Sequence, residues 1–479
     1  MKLGLRDMVV VLPGITGSVL EREGRAIWAP THRAATRAVL RPTSTVADLT
    51  LRDDEGDGVS AVAVMPDAHM VGGLVKIDGY SSIVQRIERN FLVVRGQPGQ
   101  SQPANLIEFP YDWRLDNRVN ARRLRDMVVG ALHRWREHAQ VPDAQVVLVA
   151  HSMGGLIARY FLEVLGGWRD CRALITFGTP FRGSLDAVGY LANGYKKLHI
   201  DLTSAMRSFP SVYQLMPIYP ALRTAAGYRR IGESDGLPNI DADKAADALH
   251  FHREIEAAVA DNMREGGRRY GILPVVGTHQ PTHQSATLDS GVVTLSPQPP
   301  EGVDRFLAAD GIDGDGTVPI CSAIPIEMSD MYGDLYHAGK HSSLQTSEHV
   351  LGDLVGKLAK MQARRLSKVR GPDFDAAFRR SALAVAVDDE FHPDEPIEIR
   401  ATVVAETAKL EEVYADITCL DSGERRQVPL TGSSEAGSSE DWSVTLGPLA
   451  AGTYRFTVTA LGGGDVPAPV SDLFQVAAP

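Results

Sequence analysis

The chain has 479 residues, of which 44% are hydrophobic and 23% charged, and it carries a net charge of −11. A chain of this length exceeds what one ordinary hydrophobic core supports, so two domains are predicted. The acidic balance argues against a broadly basic surface of the kind that binds nucleic acid, and no nucleic-acid partner is expected.

Hydropathy and cysteine usage predict the cellular setting. No run approaches the roughly eighteen apolar residues of a membrane-spanning helix, and charged residues interrupt the apolar N-terminal stretch early, so neither an anchor nor a signal peptide is expected. The sequence has three cysteines, an odd number that cannot all pair within the chain, and their spacing is not that of metal ligands. They are Cys171, Cys321 and Cys419. We interpret them as small buried hydrophobic residues, and a reducing, cytoplasmic location is predicted.

The first part of the chain alternates short apolar runs with longer helical patterns, which is typical of βα units in a parallel sheet. Buried strands are predicted at Met8 to Leu12, Leu106 to Phe109, Gln145 to Val149, Ala173 to Phe177 and Gly271 to Val276. Apolar residues at three- and four-residue steps predict helices at Val119 to His138, Gly154 to Leu165 and about Ser342 to Val369. An α/β domain is therefore predicted over residues 1–372.

Two segments of this domain do not fit a minimal βα scaffold. They lie near residues 20–80 and 185–265, and we interpret them as cap or lid insertions. A lid of this kind predicts transient contact with a membrane surface.

The pattern changes after about residue 381 to short alternating strands. They are predicted at Ala382 to Val387, Ile397 to Val404, Ala415 to Leu420, Trp442 to Leu446, Thr453 to Ala460 and Leu473 to Val476. Tyr454, Phe456 and Val458 are expected on one face, and the Ser- and Gly-rich segment 431–439 in a flexible hairpin loop. An all-β, immunoglobulin-like sandwich is predicted over residues 381–479, with a protein partner as its possible ligand.

The strongest local signal is Val146-Val-Leu-Val-Ala-His-Ser-Met-Gly-Gly155, in which a buried strand leads into a serine and then a helix. This pattern is typical of a nucleophile elbow, a strained turn that lifts the serine hydroxyl above the sheet edge. Gly154 and Gly155 provide the room that the close approach of strand and helix needs, and Ala150 replaces the usual first glycine. Ser152 is the predicted nucleophile, and the alternative is a serine that caps a helix.

A serine nucleophile needs a base and an acid that orients the base. In α/β folds with a nucleophile elbow, the acid follows the serine along the chain and the histidine follows the acid. The glycine-rich segment 310–319 provides Asp315 as the predicted acid, and His341, just before the closing helical pattern, is the predicted base. The alternatives are Asp313 as the acid, and His337 or His349 as the base.

The carboxylates of segment 310–319 also suggest a calcium loop, but the spacing does not support one. Counted from Asp313, an EF-hand would have Val318 where it needs glycine and Ile324 where it needs glutamate. We expect no metal, and triad chemistry requires no cofactor.

Acyl transfer also needs donors for the developing oxyanion. One donor in this fold is the amide that follows the nucleophile, here Met153. The second is predicted to be the Ile15 amide, in the turn after the first strand. Without the elbow, that segment would be interpreted as an ordinary Pro-Gly turn.

These motifs together resemble the lecithin:cholesterol acyltransferase and lysosomal phospholipase A2 family of lipid-acting α/β-hydrolases, over most of residues 8–355. The resemblance rests on Leu12-Pro-Gly-Ile-Thr-Gly-Ser-Val-Leu-Glu21, Phe109-Pro-Tyr-Asp-Trp-Arg114, Ala150-His-Ser-Met-Gly-Gly-Leu156, Thr176-Phe-Gly-Thr-Pro-Phe-Arg-Gly-Ser184 and Gly314-Asp-Gly-Thr-Val-Pro319. It implies a triad and an oxyanion hole made of Ser152, Asp315, His341 and the amides of Ile15 and Met153.

The resemblance also bears on the substrate pocket and the lid. It implies that Trp113 forms an apolar wall of the acyl pocket, the alternative being a core aromatic beside a structural Asp112–Arg114 pair. Secreted animal members have a disulfide in the early lid loop. This chain has no cysteine before Cys171, so other contacts are expected to hold that segment.

The predicted function is therefore a serine hydrolase that cleaves acyl esters of lipids through an acyl-Ser152 intermediate. A lipid acyltransferase that uses the same triad is the nearest alternative. A second alternative is a partner-regulated effector whose sandwich binds a protein and whose hydrolase is latent, and a third is a nonlipid esterase or amidase.

Overall fold

The computed structural model describes residues 2–29, 42–53, 57–66, 69–70, 76–77, 79–197, 200–264, 270–300, 314–328, 335–362, 382–404, 409–433, 439–463 and 466–477. Within these ranges, no helix combines the length and the apolar character that crossing a bilayer would require.

A central parallel sheet organises the first part of the chain, with seven strands among the described residues. In spatial order they are Leu335–Ala338, Gly271–Thr278, Cys171–Phe177, Val146–His151, Met8–Leu12, Leu106–Glu108 and Arg95–Gly96. Every neighbouring pair is parallel. Parallel neighbours need crossover connections, which helices provide here, so the predicted α/β fold is confirmed.

The sheet is buried on both faces, which explains why its strands are continuous apolar runs. Met8, Val10 and Leu12 contribute to one hydrophobic core, whereas Val9 and Val11 contribute to the other. Successive side chains of a strand point to opposite faces, so one five-residue run serves both cores. The first core includes residues of helices Asn117–Ala139, Gly154–Glu163 and Ala242–Arg264, and the second includes residues of Ser81–Asn90 and Glu348–Gln362.

The closing helix begins later than its sequence pattern predicts. The prediction placed the start near Ser342, whereas the helix spans Glu348–Gln362 and follows a 3₁₀ turn at Leu344–Thr346. Ser342 and Ser343 instead donate side-chain hydrogen bonds to residues near the C-terminus. These tertiary contacts outweigh the local helical preference. The predicted domain boundary, between 372 and 381, lies outside the described residues.

Both predicted insertion segments contain regular structure. The first has antiparallel strands Ser18–Arg22, Arg25–Trp28 and Val59–Val64 and helix Pro42–Leu49. The second has helices Leu185–Asn193, Thr203–Ser208 and Pro210–Tyr213 before the long helix that ends at Arg264. It also contributes Leu222–Thr224 and Gly227–Arg229 to a sheet that continues with Ser285–Asp289 and Val292–Ser296, beyond the predicted limit of residue 265.

Beyond residue 381, the described residues form two sheets of four and five strands. The first contains Ala382–Ala386, Ile397–Val404, Ser439–Leu446 and Thr431–Ser433, and the second contains Glu390–Phe391, Val470–Val476, Gly452–Gly463, Lys409–Cys419 and Arg425–Pro429. Side chains of both sheets share one hydrophobic core, in which Tyr454, Phe456 and Val458 are buried together as expected. Residues 431–433 of the predicted loop form a strand that pairs antiparallel with residues 441–443, whereas residues 434–438 lie outside the described residues.

Arg114 joins the first insertion to the central part of the molecule. Its side chain is fully buried and bonds Asp112 at 2.8 Å, Asp57 at 2.7 Å and the carbonyl of Leu49 at 3.1 Å. Burial acts to raise the pKa of Asp57, but the neighbouring guanidinium groups of Arg114 and Arg22 outweigh it and lower that pKa below its ordinary value. An ionic contact therefore holds this segment, which has no cysteine.

Replacing Arg114 with Met is expected to lower the free energy of unfolding by about 3–5 kcal/mol, because the buried Asp112 loses its ion-pair partner and Asp57 keeps only Arg22. Urea denaturation followed by circular dichroism measures this. The matched control is Arg264→Met, whose ion pair with Asp261 is exposed and should be worth less than about 1 kcal/mol. Equal midpoints for the two variants would contradict a structural role for Arg114.

Candidate active site

Ser152 occupies a strained turn between strand Val146–His151 and helix Gly154–Glu163. Its φ of 49° lies in the left-handed region, which a residue with a side chain rarely adopts. Two hydrogen bonds hold the turn: the Ser152 amide donates to the Phe177 carbonyl, and the Thr179 hydroxyl donates to the Ser152 carbonyl, both at 2.9 Å. A Cβ at Gly155 would lie 2.0 Å from that hydroxyl oxygen, which explains the glycine in the motif.

The structure brings Ser152, His341 and Asp315 into one hydrogen-bonded chain. His341 Nε2 lies 2.9 Å from Ser152 Oγ, and His341 Nδ1 lies 2.7 Å from Asp315 Oδ2. Asp315 is almost completely buried, whereas the His341 side chain is 15% exposed. A carboxylate that accepts from Nδ1 leaves Nε2 free to take the serine proton, which is the arrangement of a nucleophile, a base and an orienting acid.

Backbone amides and a close-fitting glycine orient the acid. Asp315 Oδ1 accepts hydrogen bonds from the amides of Thr317 at 3.0 Å and Val318 at 2.7 Å. Gly178, with a φ of 54°, faces the acid–base pair, and a Cβ there would lie 2.6 Å from Asp315 Oδ2. The glycine of the Gly-Thr-Pro motif is therefore needed for both its conformation and its small size.

The alternative triad residues lie away from Ser152 or outside the described residues. His337 Nε2 contacts the Ser347 hydroxyl at 3.1 Å, and its ring stacks on that of His349. Burial lowers the pKa of His337 to about 4. Asp313 lies outside the described residues.

His151, next to the nucleophile, connects the oxyanion loop to the base. Its Nε2 lies 3.0 Å from the His341 carbonyl, which can only accept, so Nε2 carries the proton. Its Nδ1 then accepts from the Tyr80 hydroxyl at 2.8 Å, and that hydroxyl accepts from the Gly14 amide at 2.7 Å. Burial, followed by the nearby His341, lowers the pKa of His151 to about 3, so this ring stays neutral.

The two predicted oxyanion donors lie on two segments that meet at Ser152. Met153 is the N-cap residue of helix Gly154–Glu163, and Ile15 follows Gly14 in the loop after the first strand. Gly14 contacts the nucleophile directly, since a Cβ there would lie 2.9 Å from Ser152 Cβ. Ile15 and Ser152 line the same cavity, so the loop is adjacent to the reacting atoms.

An apolar cavity of about 170 Å³ opens beside Ser152. Its walls include the side chains of Trp28, Leu49, Trp113, Leu202, Met206 and Phe209. Trp113 packs edge-on between Trp28, at a centroid distance of 5.3 Å, and Phe209, at 5.7 Å. The motif that contains Trp113 therefore includes a cavity wall as well as the buried Asp112–Arg114 ion pair, and both insertion segments contribute side chains to the cavity.

Three residues at the site received no role from sequence reasoning. His151 was part of the elbow motif, but nothing local indicates the carbonyl that it binds. Tyr80 lies in a predicted insertion and carries no motif. Asp472, which bonds the residue after His341, is a buried carboxylate within a strand, and that unusual placement is the one signal that could have marked it.

Comparison with known proteins agrees with the sequence resemblance. Residues 29–234 match the family model described as "Lecithin:cholesterol acyltransferase". A human protein named "Lysosomal phospholipase A and acyltransferase" is 36% identical over 91 residues, which are 18% of this chain and 20% of that protein. Residues 29–234 are thus similar to the lecithin:cholesterol acyltransferase family. The family match includes Ser152 and ends before Asp315 and His341, which therefore depend on geometry alone.

Two further similarities concern a yeast protein and a bacterial lipase. An uncharacterized protein of Saccharomyces cerevisiae is 27% identical over 183 residues, which are 37% of this chain and 23% of that protein. The chain thus spans about a fifth to a quarter of the length of these two curated relatives. The propeptide form of the Bacillus licheniformis lipase BlEst2 is 12% identical, with a TM-score of 0.35, over 98% of this chain and 92% of its own. The assignment of an α/β-hydrolase rests on the acyltransferase family match, the parallel sheet and the elbow.

The low pKa of His151 predicts a pH dependence of stability. The unfolded chain takes up a proton on this side chain below its ordinary pKa of about 6.5, whereas the folded protein does so only near pH 3. The unfolded state therefore binds more protons between these values, and the free energy of unfolding falls as the pH falls, by up to about 1.4 kcal/mol per pH unit.

His151→Gln keeps an amide donor for the His341 carbonyl and removes the titration. Unfolding free energies of the wild type and this variant between pH 4 and pH 7, from urea titrations, should diverge, with a shallower slope for the variant. Other buried histidines affect both proteins equally, so parallel curves would contradict a neutral, buried His151.

Proposed function

We propose that this protein is a serine hydrolase that cleaves acyl esters of lipids through an acyl-Ser152 intermediate. The observation that carries the proposal is the Ser152–His341–Asp315 chain at the mouth of an apolar cavity. Burial of an acyl chain is worth roughly 0.8 kcal/mol per methylene, so such a cavity favours fatty acyl groups over small ones. The family match over residues 29–234 supports the same substrate class.

The proposed chemistry needs no cofactor. Ser152 Oγ attacks the ester carbonyl while His341 Nε2 takes its proton, and Asp315 stabilises the resulting imidazolium. The amides of Ile15 and Met153 stabilise the oxyanion. His341 then gives the proton to the leaving alcohol, and water activated by the same histidine releases the fatty acid.

A second, more polar cavity favours an amphiphilic ester. It has a volume of about 690 Å³, shares His341 and Tyr190 with the apolar cavity, and includes the charged side chains of Lys340 and Arg400 in its lining. An ester held at Ser152 would have its acyl chain on the apolar side and its polar group on the other. The insertions near 20–80 and 185–265, which wall the apolar cavity, are the proposed lid and the proposed point of transient membrane contact.

Acyl transfer is a second candidate, because the polar cavity beside His341 has room for an alcohol as well as for water. The acyl-serine would then pass to a lipid hydroxyl. Adding a long-chain alcohol to vesicles and measuring free fatty acid and new ester distinguishes the two. New ester formed at the expense of fatty acid would indicate a transferase.

We further propose that residues 1–372 form the catalytic domain and that residues 381–479 form an immunoglobulin-like sandwich able to bind a protein partner. Tyr454 supports the sandwich, because its hydroxyl donates to the Ala450 carbonyl at 2.8 Å near the start of a strand, as in a tyrosine corner.

A cytoplasmic location is proposed as well, since Cys171, Cys321 and Cys419 are buried, free thiols.

The nucleophile is tested with a fluorophosphonate probe and with fatty acid release from mixed phospholipid and neutral-lipid vesicles. Wild-type protein should be labelled and active, and Ser152→Ala should lose both, since the acyl-enzyme cannot form. Ser290→Ala is the matched control: Ser290 has a similar φ of 50° but is exposed and bonds Asp289. Labelling that persists in Ser152→Ala would refute the proposal.

A larger side chain in the apolar cavity tests whether that cavity binds the acyl chain. Met206→Trp places a larger side chain in the cavity wall, so kcat/KM for long-chain esters should fall at least about tenfold, since misfit of even one methylene costs roughly 1–3 kcal/mol. Acetyl esters should react at the wild-type rate and serve as the internal control. An equal loss for both chain lengths would mean that the acyl chain lies elsewhere.

A further inference from the structure

The loop that carries His341 is held on both sides by one carboxylate of the C-terminal part. Asp472 Oδ1 accepts from the Ser342 hydroxyl at 3.0 Å, and Asp472 Oδ2 pairs with Lys340 Nζ at 3.0 Å. These are the residues immediately before and after the base. Ser343 adds a hydrogen bond from its hydroxyl to the Ser471 carbonyl at 3.1 Å.

The loop that carries Asp315 is connected to the same part of the chain through Gln280. Gln280, whose amide nitrogen donates to the Gly314 carbonyl at 3.0 Å, is fully buried. Its side-chain amide donates to the Leu383 carbonyl at 3.2 Å and accepts from the Val385 amide at 3.5 Å. One C-terminal sheet therefore contacts the His341 loop directly, and the other contacts Gln280, which is hydrogen-bonded to the loop that carries Asp315.

The placement of His341 explains why such support is needed. His341 follows Leu335–Ala338, the edge strand of the central sheet as described, so that sheet has no further strand to hold the loop. Asp472 lies within strand Val470–Val476 and is only 3% exposed. A buried carboxylate is costly unless it is paired, and the partners of Asp472 include both chain neighbours of His341.

We propose that Asp472 is a positioning residue for catalysis, and that the C-terminal sheets complete the active site by fixing the His341 loop. The proposal rests on the proposed serine hydrolase function and adds a role for this part of the chain. It is opposed to the interpretation in which the C-terminal part keeps the hydrolase latent, because loss of its contacts should lower activity.

The test uses the full-length chain and three substitutions. Asp472→Ala removes all the contacts of the carboxylate, Asp472→Asn removes the charge but keeps an oxygen and an amide in place, and Ser342→Ala removes one hydrogen bond. Asp416→Ala is the matched control. Asp416 lies in Lys409–Cys419, a strand of the same sheet, but is exposed and bonds Gln427. Circular dichroism and thermal melting identify the variants that are folded at the assay temperature.

Kinetics on a soluble ester separate positioning from general destabilisation. For Asp472→Ala, kcat and the rate of fluorophosphonate labelling should fall about 10- to 100-fold with KM unchanged, because a misplaced base is costly only in the transition state. Asp472→Asn and Ser342→Ala should lose less, and Asp416→Ala should match the wild type. Folded Asp472→Asn and Ser342→Ala with wild-type kcat and labelling would overturn the proposal, even if Asp472→Ala did not fold.

A spectroscopic readout keeps this inference separate from the proposed function. The His341 Nδ1 proton, held by Asp315, should give a low-field NMR signal in protein with ¹⁵N-labelled histidine. Asp472→Asn should weaken or shift that signal, and Asp416→Ala should leave it unchanged. A wild-type protein that neither reacts with the fluorophosphonate probe nor releases fatty acid would refute the hydrolase proposal alone. An NMR signal unaffected by Asp472→Asn would refute the positioning role.

Discussion

The proposed active site depends on the placement of one imidazole. His341 has to present Nε2 to Ser152 while Nδ1 stays on Asp315, and a displacement of 1 Å at a catalytic group can cost about 100-fold in rate. The backbone of His341 is held from two directions: its amide donates to the Asp315 carbonyl at 2.7 Å, and its carbonyl accepts from His151. The orientation of the ring therefore depends on several parts of the chain at once.

The central sheet provides the rigid base that this arrangement needs. Strand Val146–His151 is completely buried, and Ser152 follows it in a conformation that costs of order 1–3 kcal/mol. Hydrogen bonds to the Phe177 carbonyl and from Thr179 maintain that conformation, and both residues lie at the end of the neighbouring strand. Strain at Ser152 is thus sustained by two buried neighbouring strands, while the insertions, outside the sheet, supply several of the apolar side chains that wall the cavity.

The buried strands and the turn at Ser152 could be predicted from the sequence, because short-range residue patterns determine them. The run from Met8 to Leu12 is apolar at every position because both of its faces are buried, and the elbow around Ser152 is recognisable because only small residues fit there. The contacts of His151 with His341, and of Asp472 with Ser342, join residues 190 and 130 positions apart, and no periodicity encodes them. The same contacts explain why the helix predicted from Ser342 begins only at Glu348.

During the proposed reaction, an acyl group is held on Ser152 with its chain in the apolar cavity. A crystal structure of the protein after reaction with a long-chain alkyl phosphonate shows whether a chain can occupy that position. We expect phosphorus bonded to Ser152 Oγ, an oxygen facing the amides of Ile15 and Met153, and the alkyl chain against Trp113 and its neighbours. An adduct on another residue, or an alkyl chain in the polar cavity beside the C-terminal sheets, would contradict it.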